Sequence, residues 1–368
     1  MLTSIENVHH LMYQGVKERV FPGAVLLVAR ANEIYFQEAY GDANLFTKCK
    51  MTTNTLFDLA SLTKPLATAL AVMELIRRDR LHLEQKLGSL LNPFKATSKA
   101  SITLKQLLCH SSGLPDYAPY YKDVSLYPVS QRAKTLRECL VHEALIYPIG
   151  SRVLYSDLGF MILRWAVETV AQERLNRLAE GTIYKPLGIN DLFFIETGKK
   201  QTVHNHSGRQ FAATEQCPWR KTVLQGTVHD ENAYAVGGVE GHAGLFGTAE
   251  ATYTLLTALL TAFHGNSKTT FFSSELVRLF WKPCGNDVRT LGFDRPSAKG
   301  SSSGRYFSPH SVGHLGFTGT SFWMEPASGI IIILLTNRVH PQRTNNKIRS
   351  FRPRLHNMIM KQIKKNAE

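Results

Sequence analysis

The feature that most constrains this chain is the placement of its strand-like runs, which stand at both ends of the sequence and not in the middle. Ile330 to Leu335 is the longest purely aliphatic run. It is far too short to span a bilayer and has the length of a buried strand. His314–Thr320, Ser321–Glu325 and Ile330–Asn337 read as a hairpin plus a neighbour, with Pro326–Gly329 as the turn. Near the other end, Gly23–Arg30 (GAVLLVAR) and Glu33–Tyr40 (EIYFQEAY) read as two strands joined by a tight polar turn. Between these pairs the pattern is helical: Ser61–Arg78, Thr103–Cys109, 129–147 and Leu158–Ala171. Pro65 falls in the first turn or so of its helix, where its missing N–H costs little. Further helices fit residues 5–20 and 347–364, while 195–250 is loop-rich. An α+β fold follows: an antiparallel sheet flanked by helices, with a helical subdomain inserted into it. The expected division is a discontinuous sheet domain, 1–60 and 225–368, and a mostly helical domain, 61–224, with the active site at their junction.

The chain has 368 residues, 43% of them hydrophobic, enough for one large domain or two closely packed ones. Only 20% are charged, and neither a disordered tail nor an internal repeat stands out. Met1–Phe21 is polar and mildly amphipathic and lacks the marks of a signal peptide. A cytoplasmic protein is expected, or a periplasmic one if the chain is already processed. The five cysteines are widely spaced, with no CxxC pair. That argues against a disulfide framework and a structural zinc site, and it fits a reducing compartment. The net charge is +14, and nine Lys and Arg lie between Arg338 and Lys365 with no acid among them. No nucleic-acid module accompanies these cations, so a solvated basic face is the expected reading, with long-range steering of anionic substrates as a middle one.

Three short motifs carry chemistry. Ser61-Leu62-Thr63-Lys64 places a hydroxyl and an amine one helical turn apart. A serine becomes nucleophilic when a base takes its proton, and lysine serves only if its pKa falls. Tyr155-Ser156-Asp157 follows the turn Pro148-Ile149-Gly150. A tyrosine between cations can act as a phenolate base, and Asp157 also suits the cap of the following helix. Gly313-His314-Leu315-Gly316-Phe317-Thr318-Gly319 opens a strand whose glycines let a ligand approach, with His314 as a donor or positive charge. Singly, each pattern is common; an N-cap serine, an anchoring aromatic and a twisted Gly-rich strand would explain them.

Together, and in this order, they resemble the serine β-lactamase and penicillin-binding-protein superfamily, in the branch related to class C β-lactamases. Phe57–Lys64 (FDLASLTK) is similar to the lead-in to that branch's nucleophile. Leu107–Pro115 (LLCHSSGLP) is similar to its LLTHTSGLP segment, and Phe317–Pro326 (FTGTSFWMEP) to the strand after its third motif. The likeness runs from about residue 15 to 340. It implies an acylated nucleophile at Ser61, proton transfer by Lys64 and Tyr155, and an oxyanion hole from the N–H groups of Ser61 and Phe317, with no cofactor and no metal. Gly316 would border the substrate. His314 stands where the family's Lys-Thr-Gly motif has lysine, Leu315 where it has threonine, and Asp157 where asparagine is usual. The first two changes disfavour penicillin hydrolysis; the third sets a carboxylate near Lys64 and shifts base work to Tyr155.

Residues 227–248 (TVHDENAYAVGGVEGHAGLFGT) resemble a subgroup associated with cell-wall recycling glycosidases, whose members cleave the amide between a sugar lactate and a peptide. A metal site from His229, Asp230 and His242 matches no standard spacing; a Gly-rich active-site wall with His242 toward the substrate is expected. Arg338, Arg343 and Arg352 are candidates to hold a substrate carboxylate. The expected activity is hydrolysis of an amide or ester in a small-molecule or peptide-type substrate, a muropeptide foremost. Carboxylesterase, class C-like β-lactamase or DD-peptidase, and a penicillin-binding sensor that does not turn over are the alternatives. No nucleic-acid partner and no membrane span are expected, and oligomeric state is left open.

Overall fold

The computed structural model describes residues 5–30, 32–198, 208–265, 272–285 and 289–365. Its centre is a six-stranded antiparallel sheet. Strands β1 (Gly23–Arg30), β2 (Glu33–Asn44) and β3 (Cys49–Lys50) come from the start of the chain, and β4 (Val312–Leu315), β5 (Ser321–Glu325) and β6 (Ile330–Thr336) from its end. The spatial order is β3-β2-β1-β6-β5-β4, so the two ends of the chain meet where β1 pairs with β6, Leu27 opposite Ile333.

Burial on both faces explains why β1 and β6 are apolar without alternation. On one face Ala24, Leu26, Val28, Ile330, Ile332 and Leu334 pack against helix α1 (Ile5–Lys17) and the last helix, Ile348–Lys365. On the other, Val25, Leu27, Ala29, Ile331, Ile333 and Leu335 join the main core with α2 (Ala69–Arg77), α3 (Asp157–Ala171) and α4 (Ala249–Phe263). The last helix is α5 here. A one-residue slip of either strand would exchange these two sets.

Two expectations are corrected. The stretch 61–78 is not one α-helix. A 3₁₀ turn (Ala60–Leu62) is followed by a wide π-type turn (Lys64–Thr68) that contains Pro65, and only then by α2. Pro65 lacks an N–H and its ring crowds the preceding carbonyls, so regular α geometry starts beyond it. And Cys109 and Cys284, 175 positions apart in sequence, form a disulfide, with Cα atoms 5.9 Å apart. Wide spacing hid the pair, because only the tertiary fold brings the two together. The pairing removes the argument from isolated cysteines for a reducing compartment. Cys49, Cys139 and Cys217 are free. Among the described residues, no helix is long and apolar enough to cross a membrane.

Candidate active site

Ser61 sits on an over-determined turn. The short strand Phe57–Asp58 pairs with Leu245–Gly247, and the chain then folds back through Ala60 at φ +47°, a left-handed conformation that alanine rarely adopts. Such a residue costs on the order of 1–3 kcal/mol and persists only where its surroundings enforce it. Here Ala60 N donates to Asp58 Oδ1 at 2.9 Å, and Thr63 Oγ1 donates to Ala60 O at 2.6 Å. Thr318 and Thr320 donate from the β4–β5 turn to the carbonyls of Asp58 and Leu59, at 2.7 and 3.0 Å. Gly316 makes that approach possible, since a Cβ there would lie 2.0 Å from Thr320 Oγ1 and 2.6 Å from Leu59 O.

Lys64 is fully buried, and its ammonium donates to Ser61 Oγ (3.1 Å), Asp157 Oδ1 (2.6 Å) and His242 O (3.3 Å). It lies 4.6 Å from the centre of the Tyr155 ring. Burial pulls its pKa down, but Asp157 and Tyr155 pull it up further, and the balance holds it above the usual lysine value. The carboxylate at position 157 thus keeps Lys64 charged.

Tyr155 is held from several sides. The His110 ring stacks at 4.6 Å, the Arg289 guanidinium lies 5.0 Å over its ring, and the His314 ring is 5.9 Å away. The Leu107–Pro115 segment sets this arrangement. His110, itself at φ +58°, accepts from Ser156 N at 2.9 Å, and Pro115 O accepts from Ser156 Oγ at 2.6 Å. The cap of α3 is Ser156 and not Asp157: its hydroxyl accepts from Gly159 N, which leaves the Asp157 carboxylate to Lys64.

His314 does not supply the positive charge expected of it. It is 1% exposed. Burial, together with Lys64 and Arg289, drives its pKa far below the usual histidine value, so it is neutral at pH 7. Its Nδ1 pairs with Leu315 O at 2.9 Å, while Nε2 is buried without a hydrogen-bond partner.

The wall across from Tyr155 comes from the 227–248 loop. His242 Nε2 pairs with Asp230 Oδ1 at 2.9 Å, and Asp230 also caps a short helix through Ala233 N at 2.7 Å. Although burial works against it, the imidazolium's pKa is raised by Asp230. His229 is not part of this group; its ring pairs with Glu215 at 3.1 Å. Asp157, Asp230 and His242 offer ligand atoms within 4.8 Å of one another and are the residues that could hold a metal ion, although the Lys64 ammonium already lies against Asp157. Their charges run Lys64, Asp157, His242, Asp230 in alternating sign.

Arginines gather beside the β4–β5 turn. Arg338, Arg349 and Arg352 line the cleft, and among the described residues none has a carboxylate partner. Arg338 spends its donors on carbonyls, those of Phe317 (2.9 and 2.5 Å) and Asn345 (2.6 Å) included. Arg352 is almost fully buried. It gives one bond to Thr320 O at 2.9 Å and leaves Nε without a partner. Burial and the neighbouring guanidiniums lower the pKa of Arg338 to about 10 and of Arg352 to about 9. Arg343, read from sequence as an equal candidate, is instead paired with both Glu215 and Glu231. All these groups border one cleft of about 600 Å³ that also exposes Ser61, Gly316 and the half-exposed ring of Phe317. Sequence reading missed Arg289 and Asp294, which no motif marks. It also missed Arg349 and the pairing of Asp230 with His242.

A serine within hydrogen-bond reach of a buried lysine, beside a tyrosine and under a Gly-rich strand, defines an acyl-transfer hydrolase site on an α+β fold. Residues 8–352 match the Beta-lactamase family model, and the chain belongs to that family. It is a serine hydrolase acting on an amide or ester. Over 353 residues it is 34% identical to a Bacillus subtilis protein named "N-acetylmuramyl-L-alanine amidase", covering 87% of this chain and 78% of the relative. It is 30% identical to an Escherichia coli K12 protein named "Putative D-alanyl-D-alanine carboxypeptidase", covering 90% and 82%. The fold is shared with EstCE1, described as a hydrolase with promiscuous acyltransferase activity. That match has a TM-score of 0.71 and 21% identity, and covers 95% of this chain and 98% of the other.

Proposed function

We propose that the protein is a muropeptide amidase that forms an acyl-enzyme at Ser61, in a cleft where the sheet domain (1–60, 225–368) meets the helical domain (61–224). The observation that carries this reading is a serine–lysine–tyrosine cluster at a cleft also lined by arginines that have no carboxylate partner among the described residues. A peptide linked to a sugar lactate brings an amide for the first and carboxylates for the second. The similarity to the B. subtilis amidase supports the same substrate class.

In the proposed sequence Tyr155 takes the Ser61 proton as Oγ bonds to the substrate carbonyl carbon, because Asp157 keeps Lys64 protonated. The N–H groups of Ser61 and Phe317 hold the oxyanion. The C–N bond breaks and the leaving nitrogen takes the proton from Tyr155. Water then attacks the acyl-enzyme, its proton passing to Tyr155 and on to Ser61 Oγ. Lys64 stays charged beside both oxygens, and the pair titrates as a unit. Neutral His314 and Leu315 offer a β-lactam carboxylate neither a cation nor a hydroxyl, which disfavours penicillin turnover.

Mass spectrometry of a defined muropeptide digest tests this, with Ser61→Ala as control. Free peptide and unlinked sugar appearing only with Ser61 are the expected result. Release of a terminal amino acid would instead mean a peptidase. Cleavage of a simple acetyl ester with muropeptides untouched would make the protein a carboxylesterase, and a burst of penicillin acylation without turnover would make it a sensor.

A further inference from the structure

Away from the cleft's chemistry, the connection between the short helix Tyr121–Val124 and the helix Val129–His142 exposes apolar side chains that nothing covers. Leu126 is 82% exposed, Val129 71% and Tyr127 46%. The tip is rigid, because the Arg132 guanidinium donates to Tyr127 O (2.9 Å), Ser125 O (3.0 Å) and Ala235 O (3.4 Å). Beside it, Trp219, 39% exposed, meets the ring of Tyr121 at 4.8 Å.

The charge around this tip is positive and poorly compensated. Next to it Asp123 stands against Lys122 and Arg132, while Lys134 and Arg137 further along the helix pair with Glu138 and Glu168 at 3.8 and 3.6 Å. Among the described residues neither Arg132 nor Arg220 has a carboxylate partner: Arg132 donates to carbonyls, and Arg220 to Val228 O, His229 O and Cys217 Sγ, with its guanidinium over the Trp219 and Tyr234 rings. Lys122 and Lys221 are exposed.

We propose that the Leu126–Val129 tip is a wedge that docks the protein on an anionic lipid surface. Exposed aliphatic groups gain by entering hydrocarbon, Trp and Tyr settle at the headgroup level, and flanking cations meet anionic headgroups. A polysaccharide would reward aromatic faces and hydrogen-bond donors but not Leu126 and Val129. A second copy of this chain would bring a second net charge of +14. The wedge is tied to the cleft mouth. Tyr121 N donates to Asn232 Oδ1 at 2.8 Å, and Asn232 donates back to Ala118 O at 2.9 Å. The next residue to Asn232, Glu231, lines the cleft with Tyr117. Docking would turn the mouth toward the surface.

Co-sedimentation with phosphatidylcholine vesicles, with and without phosphatidylglycerol, tests this. The wild type binds the phosphatidylglycerol vesicles and loses them as salt rises. L126E/V129E and the uncharged L126S/V129S each weaken binding by about 10-fold or more. Hydrolysis of a small soluble ester and the unfolding midpoint stay unchanged in both. Equal vesicle binding by wild type and both variants, or none by the wild type, overturns the proposal. Retention on insoluble glycan in place of vesicles overturns it in favour of a polysaccharide. A concentration-dependent dimer lost in the variants overturns it in favour of self-association.

Discussion

On one side of the cleft, Lys64, Asp157, His242 and Asp230 alternate in sign, with the terminal pairs at 2.6 and 2.9 Å. Elsewhere along it, Arg338, Arg349 and Arg352 have no carboxylate partner among the described residues, and Arg338 and Arg352 give their hydrogen bonds to neutral carbonyls. On the first wall each charge has its counter-charge without a ligand, although His242 Nδ1 is buried with no hydrogen-bond partner among the described residues, so the geometry of the pairs is set before substrate arrives. The second is incomplete. Arg338 and Arg352 are buried cations without a carboxylate, which costs stability that an anionic ligand would recover, and the exposed Arg349 stands beside them at the cleft. A site built this way keeps precision where bonds are made and broken and leaves affinity to the end that lacks a partner.

The largest expected effect separates chemistry from binding. Ser61→Ala should lower kcat by about 10⁴ or more, while a product carrying a carboxylate still binds, as calorimetry would show. Residual turnover close to wild type would remove the paired wall from the chemistry altogether. Next, Arg349→Ala should raise KM roughly 10-fold for substrates with a free carboxylate and leave an uncharged ester unaffected, because a hydrogen bond to a charged group contributes about 1.5–3 kcal/mol. An equal rise for both substrates would mean that the arginine wall shapes the cleft without reading charge. The smallest effect is a shift in pH dependence. Asp157 raises the Lys64 pKa, so Asp157→Asn lowers it, and the kcat/KM limb that reports this ammonium moves to lower pH. A limb that stays in place would mean that Lys64 does not titrate in the rate-determining step.

The aliphatic runs at the two ends announced the central sheet, because strands buried on both faces must be apolar throughout. The three motifs singled out Ser61, Lys64, Tyr155 and Asp157 from residue type and order alone, and the fold brings these four into one cluster. What stayed hidden depends on tertiary neighbours. His314 reads as a cation until burial and two nearby positive groups are counted. Arg343 and Arg352 look alike in sequence, yet Glu215 and Glu231 neutralise one, and no carboxylate among the described residues neutralises the other. Arg289 reaches Tyr155 only because a loop far along the chain returns to it.

The Cys109–Cys284 link bears on how the molecule comes apart. Cys109 directly precedes His110, and Cys284 N donates to Arg289 O at 2.8 Å, so the bond ties together the two segments that pack on Tyr155. Closing a loop this long removes on the order of 5 kcal/mol of disorder from the unfolded chain in the chain-entropy picture. With the helical insertion and the end of the chain stapled together, neither can loosen far without the other. The seam on which the site is proposed to lie is thus crossed by a covalent bond, and opening on one side of it is expected to draw on the other.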